Sequence, residues 1–377
     1  MTSEERHELR YQRRRTRRLQ KRMAAAPIAN SYRSVYTTEN LWRSYKLCRK
    51  NVTWKGSVQR YILSAPIRIS RTKKQLEAHK YKCVEPHEWD TWERGKKRHI
   101  KSVPIGERVV QRTLADQSLL PSLQKMFVYD NGACMKFKGY DFAVRRLKAH
   151  LQQYYRKHGS TGYVLLYDFS KFYESIDHGL IRSILRTRLS DPLILGMVNQ
   201  ILSTFGQGLG LGSQISQVLA LASANELDHV IKQELHMKYS ARYNDDGYII
   251  HHDKAVLQNC LERIREVCAK LHITLNEKKT QIVRLEDGFK FLKSKTYLTE
   301  TGFVVRKIPK SRVYGERRRL RKMRRLLDAG KLTFDQIQAH YKPHRAYSVK
   351  YFNDRQKVIF TDRLFKQLFK EELKQCA

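Results

Sequence analysis

Three aspartates in this sequence stand where strand-like segments end or turn. Asp168 ends the apolar run Gly162-Tyr-Val-Leu-Leu-Tyr-Asp168, which is rich in strand-forming residues. Asp245 and Asp246 lie in the turn Tyr243-Asn-Asp-Asp-Gly247, between two apolar segments. Adjacent carboxylates in a turn without Lys or Arg repel each other unless a divalent cation lies there. If the three carboxylates meet, they could hold two Mg²⁺ ions, which activate a 3′-hydroxyl and neutralise a triphosphate.

The turn by itself also has a simpler explanation. Asp-Gly between two apolar strands is typical of a type I′ hairpin, because glycine accepts positive φ at no steric cost. The second acidic strand end at Asp168 favours the metal-binding interpretation over the simple hairpin.

The surrounding pattern predicts the elements that must position these carboxylates. A strand ending at Asp168 is followed by a helical segment of about 178–189 and a glycine-rich stretch at 206–212. Further along, the periodicity predicts a helix at about 218–230 and a strand–turn–strand unit at about 239–252. A second helix at about 256–271 is followed by strands up to about 305 and then by a basic helical tail.

Composition indicates a polyanionic partner. The 75 Lys and Arg residues outnumber the 36 Asp and Glu residues, and the net charge of +39 exceeds what solubility requires. Because 21 Tyr and 14 Phe are interleaved with these cations, nucleic acid is favoured over a membrane surface. The six cysteines form no CxxC pair and no segment is apolar enough to span a bilayer. We expect a cytoplasmic protein with no membrane partner.

The order of the acidic motifs resembles the palm of reverse transcriptases. Asp168-Phe-Ser-Lys-Phe-Tyr-Glu-Ser-Ile-Asp-His178 is similar to the first catalytic block of that family, and Tyr243-Asn-Asp-Asp-Gly247 is similar to the second. The resemblance covers roughly residues 94–300. It implies an α+β right-hand polymerase with an antiparallel palm sheet, catalytic Asp168, Asp245 and Asp246, and two Mg²⁺ ions, for which Mn²⁺ could substitute.

The first block implies two further roles. Tyr173, five residues after Asp168, resembles an aromatic steric gate that stacks beneath the sugar and rejects a 2′-hydroxyl, so that DNA is the product. Phe169 resembles the residue whose backbone carbonyl also contacts metal. A packed core aromatic is the alternative for Tyr173.

Leu211-Gly-Ser-Gln-Ile-Ser-Gln217 departs from the Gln-Gly and Ser-Pro of most reverse transcriptases. Leu before Gly and Gln after Ser resemble the enzymes of diversity-generating retroelements, bacterial and phage systems that copy a template RNA with errors at adenine. The resemblance implies a protein encoded by a bacterium or a phage. The resemblance places Leu211, Gly212, Ser216 and Gln217 against the nucleotide. Because Leu211 replaces an amide that could hydrogen-bond, we expect error-prone synthesis. A flexible loop is the alternative.

Three cations resemble residues that contact the triphosphate. Lys279, in Leu275-Asn-Glu-Lys-Lys-Thr280, resembles a lysine that acts at the leaving pyrophosphate as charge stabiliser or proton donor. Lys96 and Arg98, in Lys96-Lys-Arg-His-Ile100, resemble fingers residues that close over the triphosphate. In so basic a chain, plain surface charges or generic phosphate contacts remain the alternative.

The C-terminal third suggests contacts to the primer and template. Phe289 and Phe291 lie in Gly288-Phe-Lys-Phe-Leu292, which resembles the primer-grip hairpin, although alternating Phe could equally be sheet core. The basic tail would contact the nucleic-acid backbone without sequence preference. The arginines expected to do so are Arg317, Arg318, Arg321 and Arg325.

Together these patterns predict a basic N-terminal arm (1–40), fingers (41–160), a palm (161–297) and a basic helical thumb (298–377). The expected partners are a template RNA of structured non-coding type, a primer or cDNA strand, dNTPs and a small basic accessory protein. A phage-defence reverse transcriptase with a dedicated non-coding RNA shares these motifs and stays open as an alternative. So does a non-catalytic RNA-binding or maturase-like protein.

Overall fold

The structure, a computed structural model, describes residues 31–93 and 96–375 together with Arg6 and Arg13. At Glu93, Lys96, Arg98 and Gln375 the description covers the backbone alone. The part of the predicted arm before residue 31 therefore lies outside the described residues, apart from those two arginines.

The N-terminal half is mainly helical and contains one β-hairpin. Its elements are α1 (Tyr32–Val35), α2 (Thr38–Arg49), α3 (Gly56–Leu63), α4 (Ala65–Glu77), β1 (His87–Glu93), β2 (Lys96–Ser102), α5 (Ile105–Leu114), a π-helical turn (Ala115–Leu119), α6 (Leu120–Leu123), a 3₁₀ turn (Gln124–Met126) and α7 (Tyr140–His158).

The central part carries the strands that the sequence predicts around the aspartates. Its elements are β3 (Tyr163–Asp168), α8 (Phe172–Ser175), α9 (His178–Arg186), α10 (Pro192–Phe205), α11 (Gln214–Ser223), α12 (Asn225–His229), a π-helical turn (Val230–Glu234), β4 (Ser240–Tyr243), β5 (Asp246–His251), α13 (Lys254–Lys270) and β6 (Gln281–Arg284). The remainder comprises β7 (Phe289–Phe291), β8 (Ser294–Leu298), β9 (Val304–Lys307), α14 (Lys310–Asp328), α15 (Phe334–Tyr351), α16 (Arg355–Leu368) and α17 (Lys370–Gln375).

The four-stranded sheet has the order β4-β5-β3-β6 and is antiparallel at each pairing. Alternate side chains of a strand point to opposite faces of the sheet, and both sets of side chains of β3 are buried. Leu165 and Tyr167 join a large core with the helices, whereas Val164 and Leu166 join a second core on the other face. The α+β class with an antiparallel palm sheet is therefore as predicted.

The second core places two predicted boundaries differently. Leu147 and Leu151 of α7 pack on the sheet beside Val164, so α7, predicted as the end of the fingers, lies under the palm. The three-stranded sheet β7-β8-β9 continues to Lys307, and its helical successor α14 begins at Lys310. The predicted thumb boundary at 298 therefore falls inside this sheet.

The structure differs from the predicted N-terminal arm and has the predicted helical tail. Tyr32, Val35 and Tyr36 are buried in the main core, so residues 31–40 are part of the folded body and not of a basic arm. The C-terminal helices enclose a small core of their own around Leu320 and Phe365, in agreement with a helical tail. Within the described ranges no helix combines the length and apolarity needed to cross a bilayer.

Candidate active site

The predicted strand end and hairpin turn meet. Antiparallel pairing of β3 with β5 sets Asp168 directly opposite Asp246. The turn is tied to the end of β3 as well, because the Phe169 N–H donates to the Asp245 carbonyl at 3.1 Å. The sheet register therefore brings an acidic strand end and an acidic turn to one edge of the palm.

Gly247 has a different structural role from the one that the type I′ hairpin alternative gave it. Tyr243 pairs with Asp246, and Asn244 is the turn residue with positive φ, at 55°. Gly247 lies within β5, where a Cβ would come 2.1 Å from Cζ of the buried Tyr167 ring. Gly247 is required by this close approach and not by a type I′ turn.

The carboxylates of Asp168 and Asp246 interact directly. Asp168 is 4% exposed. Burial, a hydrogen bond to Asp168 and the nearby charge of Asp245 raise the pKa of Asp246 to about 8. Such a shift means that the carboxylates resist carrying their full negative charge together without a cation.

Lys279 supplies a cation to this group. Its Nζ donates to Oδ2 of Asp168 at 2.6 Å, and Asn276 Nδ2 donates to Oδ1 of the same carboxylate at 3.2 Å. Burial alone would lower the pKa of Lys279, but its hydrogen bond to Asp168 outweighs that effect and raises the pKa. Lys279 was predicted at the leaving pyrophosphate, and Asn276 was missed by the sequence analysis.

The oxygen donors suit a hard divalent cation, although they are not arranged as a closed metal site. Among the described residues, no three His, Cys, Asp or Glu side chains are placed to hold a metal ion. The cation that contacts Asp168 in the structure is the Lys279 ammonium, 2.6 Å from Oδ2. The contact between Asp168 and Asp246, with the raised pKa of Asp246, shows a cluster that an added cation would relieve.

A cavity of about 830 Å³ opens onto the carboxylates, which is large enough for a nucleotide. The three aspartates, Phe169, Lys279, Tyr173 and Leu211 all line it. The structure thus gathers the residues for which the sequence predicts metal binding, sugar selection and pairing control around one space.

Tyr173 is held in this cavity by the glycine-rich loop. The Leu209 N–H donates to the Tyr173 carbonyl at 2.6 Å. Gly208 has φ +67°, and a Cβ there would lie 2.4 Å from the Glu174 carbonyl oxygen. Burial raises the pKa of Tyr173, so the phenol enters the cavity uncharged. Tyr173 therefore lines the cavity, and its role as a steric gate stays a prediction.

The predicted pairing loop is only partly available to a nucleotide. Gly212 and Gln217 are exposed, and Gln217 Oε1 accepts from the Cys134 thiol at 3.6 Å. Ser216 is fully buried in α11, so its predicted contact with the nucleotide is wrong. The helical period turns Ser216 inward and leaves Gln217, one position later, at the surface.

The fingers hairpin contributes a cation other than those predicted. Lys97 lines the catalytic cavity and forms an ion pair with Asp90 at 2.8 Å. The side chains of Lys96 and Arg98 lie outside the described part of the chain, so their predicted contacts stay predictions.

The predicted primer-grip phenylalanines are core residues. Phe289 and Phe291 are 2% and 4% exposed and pack in the second core, so neither can contact a primer directly. The tip of the same hairpin, Leu292 and Lys293, lines the catalytic cavity instead. The alternating phenylalanines correctly indicated a strand. Their side chains pack in the core, which was the alternative interpretation, and do not face a primer.

The predicted backbone-binding arginines fall into two classes. Arg318, Arg321 and Arg325 are exposed on α14, three and four positions apart, and share one face. Arg317 is half-buried, lies 3.7 Å from the centroid of the Phe360 ring and donates to the Phe360 carbonyl. Arg317 therefore connects α14 to α16 through Nη1, and its predicted contact with the nucleic-acid backbone stays a prediction.

A buried ion pair beneath the turn was not predicted. Arg242 of β4 donates from Nε and Nη2 to Asp228 at 2.7 and 2.6 Å, with both side chains almost fully buried. Its Nη1 also donates to the Asn244 carbonyl at 2.7 Å. The one available sequence signal was an arginine at an inward position of a strand.

Comparisons with known proteins agree with this geometry. Residues 87–295 match the family described as "Reverse transcriptase (RNA-dependent DNA polymerase)". No curated protein matches the chain.

Similar solved structures include two telomerases. The apo telomerase from Candida tropicalis, truncated from its C-terminal domain, is 12% identical with a TM-score of 0.47, and the match covers 64% of this chain and 60% of that one. Telomerase from Candida albicans, in complex with a TWJ fragment of telomeric RNA, is 12% identical with a TM-score of 0.49, and the match covers 71% and 55%. The chain therefore spans less than two thirds of these telomerase chains. Because the family match covers more than half of its own length, this chain belongs to the reverse transcriptase (RNA-dependent DNA polymerase) family and has the right-hand polymerase fold.

Proposed function

We propose that this protein is an RNA-directed DNA polymerase that extends a primer with dNTPs along an RNA template. The observation that carries the proposal is the pairing of Asp168 with Asp246 at the edge of a nucleotide-sized cavity that also contains Tyr173 and Leu211. Reverse transcriptase domains use divalent metal ions, and these carboxylates are the oxygen donors that Mg²⁺ prefers.

Within this proposal, Asp168, Asp245, Asp246 and the backbone carbonyl of Phe169 would hold two Mg²⁺ ions, or Mn²⁺ in their place. When bound, such ions activate the attacking hydroxyl and neutralise the triphosphate. Lys279 lines the same cavity with its pKa raised, so it remains protonated beside the phosphates.

The direct test is primer extension on poly(rA) with an oligo(dT) primer, dTTP and Mg²⁺. We expect incorporation that chelation by EDTA abolishes. Poly(dA) with the same primer serves as the matched control for template type. If purified, folded protein incorporates no nucleotide on either template, the non-catalytic RNA-binding alternative replaces this proposal.

Tyr173 is proposed to exclude ribonucleotides. Truncation by Tyr173→Ala removes the ring of a residue that lines the cavity, so discrimination between dTTP and UTP should fall by about 10- to 100-fold. The measurement compares kcat/KM for the two nucleotides on one primer–template. Tyr173→Phe keeps the ring and should keep the selectivity. Unchanged discrimination in the alanine variant would show that Tyr173 is only a packing residue.

Leu211 is proposed to make synthesis error-prone, as in a diversity-generating retroelement. A net hydrogen bond contributes roughly 0.5–1.5 kcal/mol, so Leu211→Gln should lower misincorporation at template adenine by up to about tenfold. Sequencing the products of one round of synthesis measures this frequency. Leu211→Met, which adds no hydrogen-bond donor, is the matched control. An equal error frequency in all three proteins would contradict the proposal.

The biological role requires an observation outside the chain. A template repeat beside a variable target gene would support diversification, with a structured template RNA and a small basic accessory protein as partners. Absence of such a repeat would favour the phage-defence alternative, in which a dedicated non-coding RNA is copied.

A further inference from the structure

A second large cavity, of about 910 Å³, lies outside the catalytic cleft. Helices α3 and α4 form one wall, and the segment from the end of β2 to the start of α5 forms the other. Much of its lining precedes residue 87, where the reverse transcriptase family match begins. It is therefore built largely from a part of this chain that the family match does not cover.

The lining of this N-terminal cavity is strongly cationic. Six Lys and Arg residues contribute to it: Lys55, Arg60, Arg68, Arg71, Lys82 and Arg108. Among the described lining residues Glu107 is the sole acid, and its carboxylate is buried, accepting from Tyr81 Oη and from the Val84 N–H. The accessible charge of the cavity is thus positive, which fits a polyanion.

Aromatic surface lies beside these cations. Trp89 lines the cavity with 48% of its surface exposed, and Ile67 of α4 is also exposed in the lining. Duplex bases are stacked on each other and present phosphates outward, whereas unpaired bases can stack on such side chains. Positive charge combined with an exposed indole therefore favours a single-stranded nucleic acid.

The N-terminal cavity continues towards the catalytic site. A smaller cavity of about 260 Å³ shares Val52 and Arg108 with it, and is also lined by Gly212 and Gln217. Leu211, the residue before Gly212, lines the catalytic cavity. The smaller cavity therefore adjoins the N-terminal cavity, and the consecutive residues Leu211 and Gly212 stand between it and the catalytic cavity.

We propose that this series of cavities is the track of the unpaired template RNA ahead of the copied nucleotide, and that the N-terminal cavity is its single-strand binding site. The inference rests on the proposed polymerase function. A template strand passing the Leu211–Gln217 loop meets Arg112 and Lys50 first, then Arg108 and the cations of α3 and α4. Its phosphates pair with these cations while an unstacked base can lie against Trp89.

Binding of the primer–template, measured without dNTPs, tests the track separately from catalysis. The two probes share one duplex and have about 2 or about 12 unpaired template nucleotides, the range that such sites cover. We expect the wild-type protein to bind the longer overhang about tenfold more tightly. The variant Arg60→Ala/Arg71→Ala should lose this gain and lower the salt slope by about 1.4, at roughly 0.7 per lost phosphate contact.

The matched control is Lys46→Ala/Lys74→Ala, which removes the same charge from exposed positions on α2 and α4 that do not line the cavity. Retention of the overhang gain by Arg60→Ala/Arg71→Ala, or an equal loss in the control, would overturn the track.

A photoreactive uridine in the overhang of the wild-type complex provides a test without any variant. Crosslinks should map to residues 52–108, and crosslinks confined to the C-terminal helices would also overturn it. A wild-type protein that binds both probes as predicted but extends neither would refute the polymerase function and leave the binding site standing.

Discussion

Replacing Asp246 with Asn is expected to lower primer extension by on the order of 10³-fold, because bound metal contributes several kcal/mol to the transition state of such a reaction. Asp246 faces Asp168 across the sheet and interacts directly with its carboxylate. Asn keeps the shape of the side chain and removes one of the charges that would hold the ions. Steady-state incorporation on poly(rA)/oligo(dT) measures the loss.

The same variant should not unfold the protein. Burial is the largest cause of the raised pKa of Asp246, and the nearby Asp168 and Asp245 carboxylates raise it further because like charges repel. Removing one carboxylate relieves that repulsion, so without divalent ions Asp246→Asn should melt at the wild-type temperature or above it. Adding Mg²⁺ should raise the melting temperature of the wild-type protein and have little effect on the variant.

Glu262→Gln is the matched control, because Glu262 is exposed on α13 and away from the cavity. It should leave both extension and the Mg²⁺ response unchanged. Extension by Asp246→Asn within about tenfold of wild type, or an equal stabilisation of that variant by Mg²⁺, would contradict the proposed role of the carboxylates.

Local patterns were sufficient to predict the strands that carry the aspartates. The run before Asp168 is apolar and bounded by glycine, and the two segments around Asn244 flank a turn, so strand, hairpin and acidic positions follow from short-range rules. Antiparallel pairing then places Asp168 opposite Asp246. This register is long-range, and it was predicted only because the order of the motifs resembles a known family.

The sequence analysis was less successful in predicting whether a side chain of a helix or strand points into the core or towards the nucleic acid. Ser216 and Gln217 are neighbours, yet the helix turns one into the core and the other outward. Phe289 and Phe291 alternate as a strand should, but alternation does not say whether the apolar face meets a primer or a second core. In both cases the neighbouring elements decide, and they are distant in the sequence.

Contacts between distant charges were beyond the sequence analysis. In a chain with 75 Lys and Arg residues, no pattern singles out Lys279 as the partner of Asp168 or Arg242 as the partner of Asp228. The Arg242–Asp228 pair is buried because the fold encloses both side chains, whereas Lys279 is exposed and reaches Asp168 from the surface. Burial, which is a property of the whole fold, makes Arg242 a structural cation and not a surface charge.

Arg242→Met should be the most destabilising of the substitutions considered. It leaves the buried Asp228 carboxylate without its guanidinium, a change that costs about 3–5 kcal/mol of unfolding free energy. It also removes the donor to the Asn244 carbonyl, which is part of the turn that carries Asp245 and Asp246. Urea unfolding measures the first effect, and kcat for extension by the folded fraction measures the second.

A double variant separates these two effects. Arg242→Met/Asp228→Asn removes the unpaired buried carboxylate and should recover part of the lost stability, but the Asn244 carbonyl still lacks its donor. We therefore expect kcat to stay low in the double variant while KM for dNTP changes little, which is the pattern of a residue that positions the catalytic turn. Recovery of kcat in step with stability would mean that Arg242 acts only by holding the fold together. Because the guanidinium contacts both the ion-pair partner and the turn, one buried side chain links the stability of the palm to the geometry of its carboxylates.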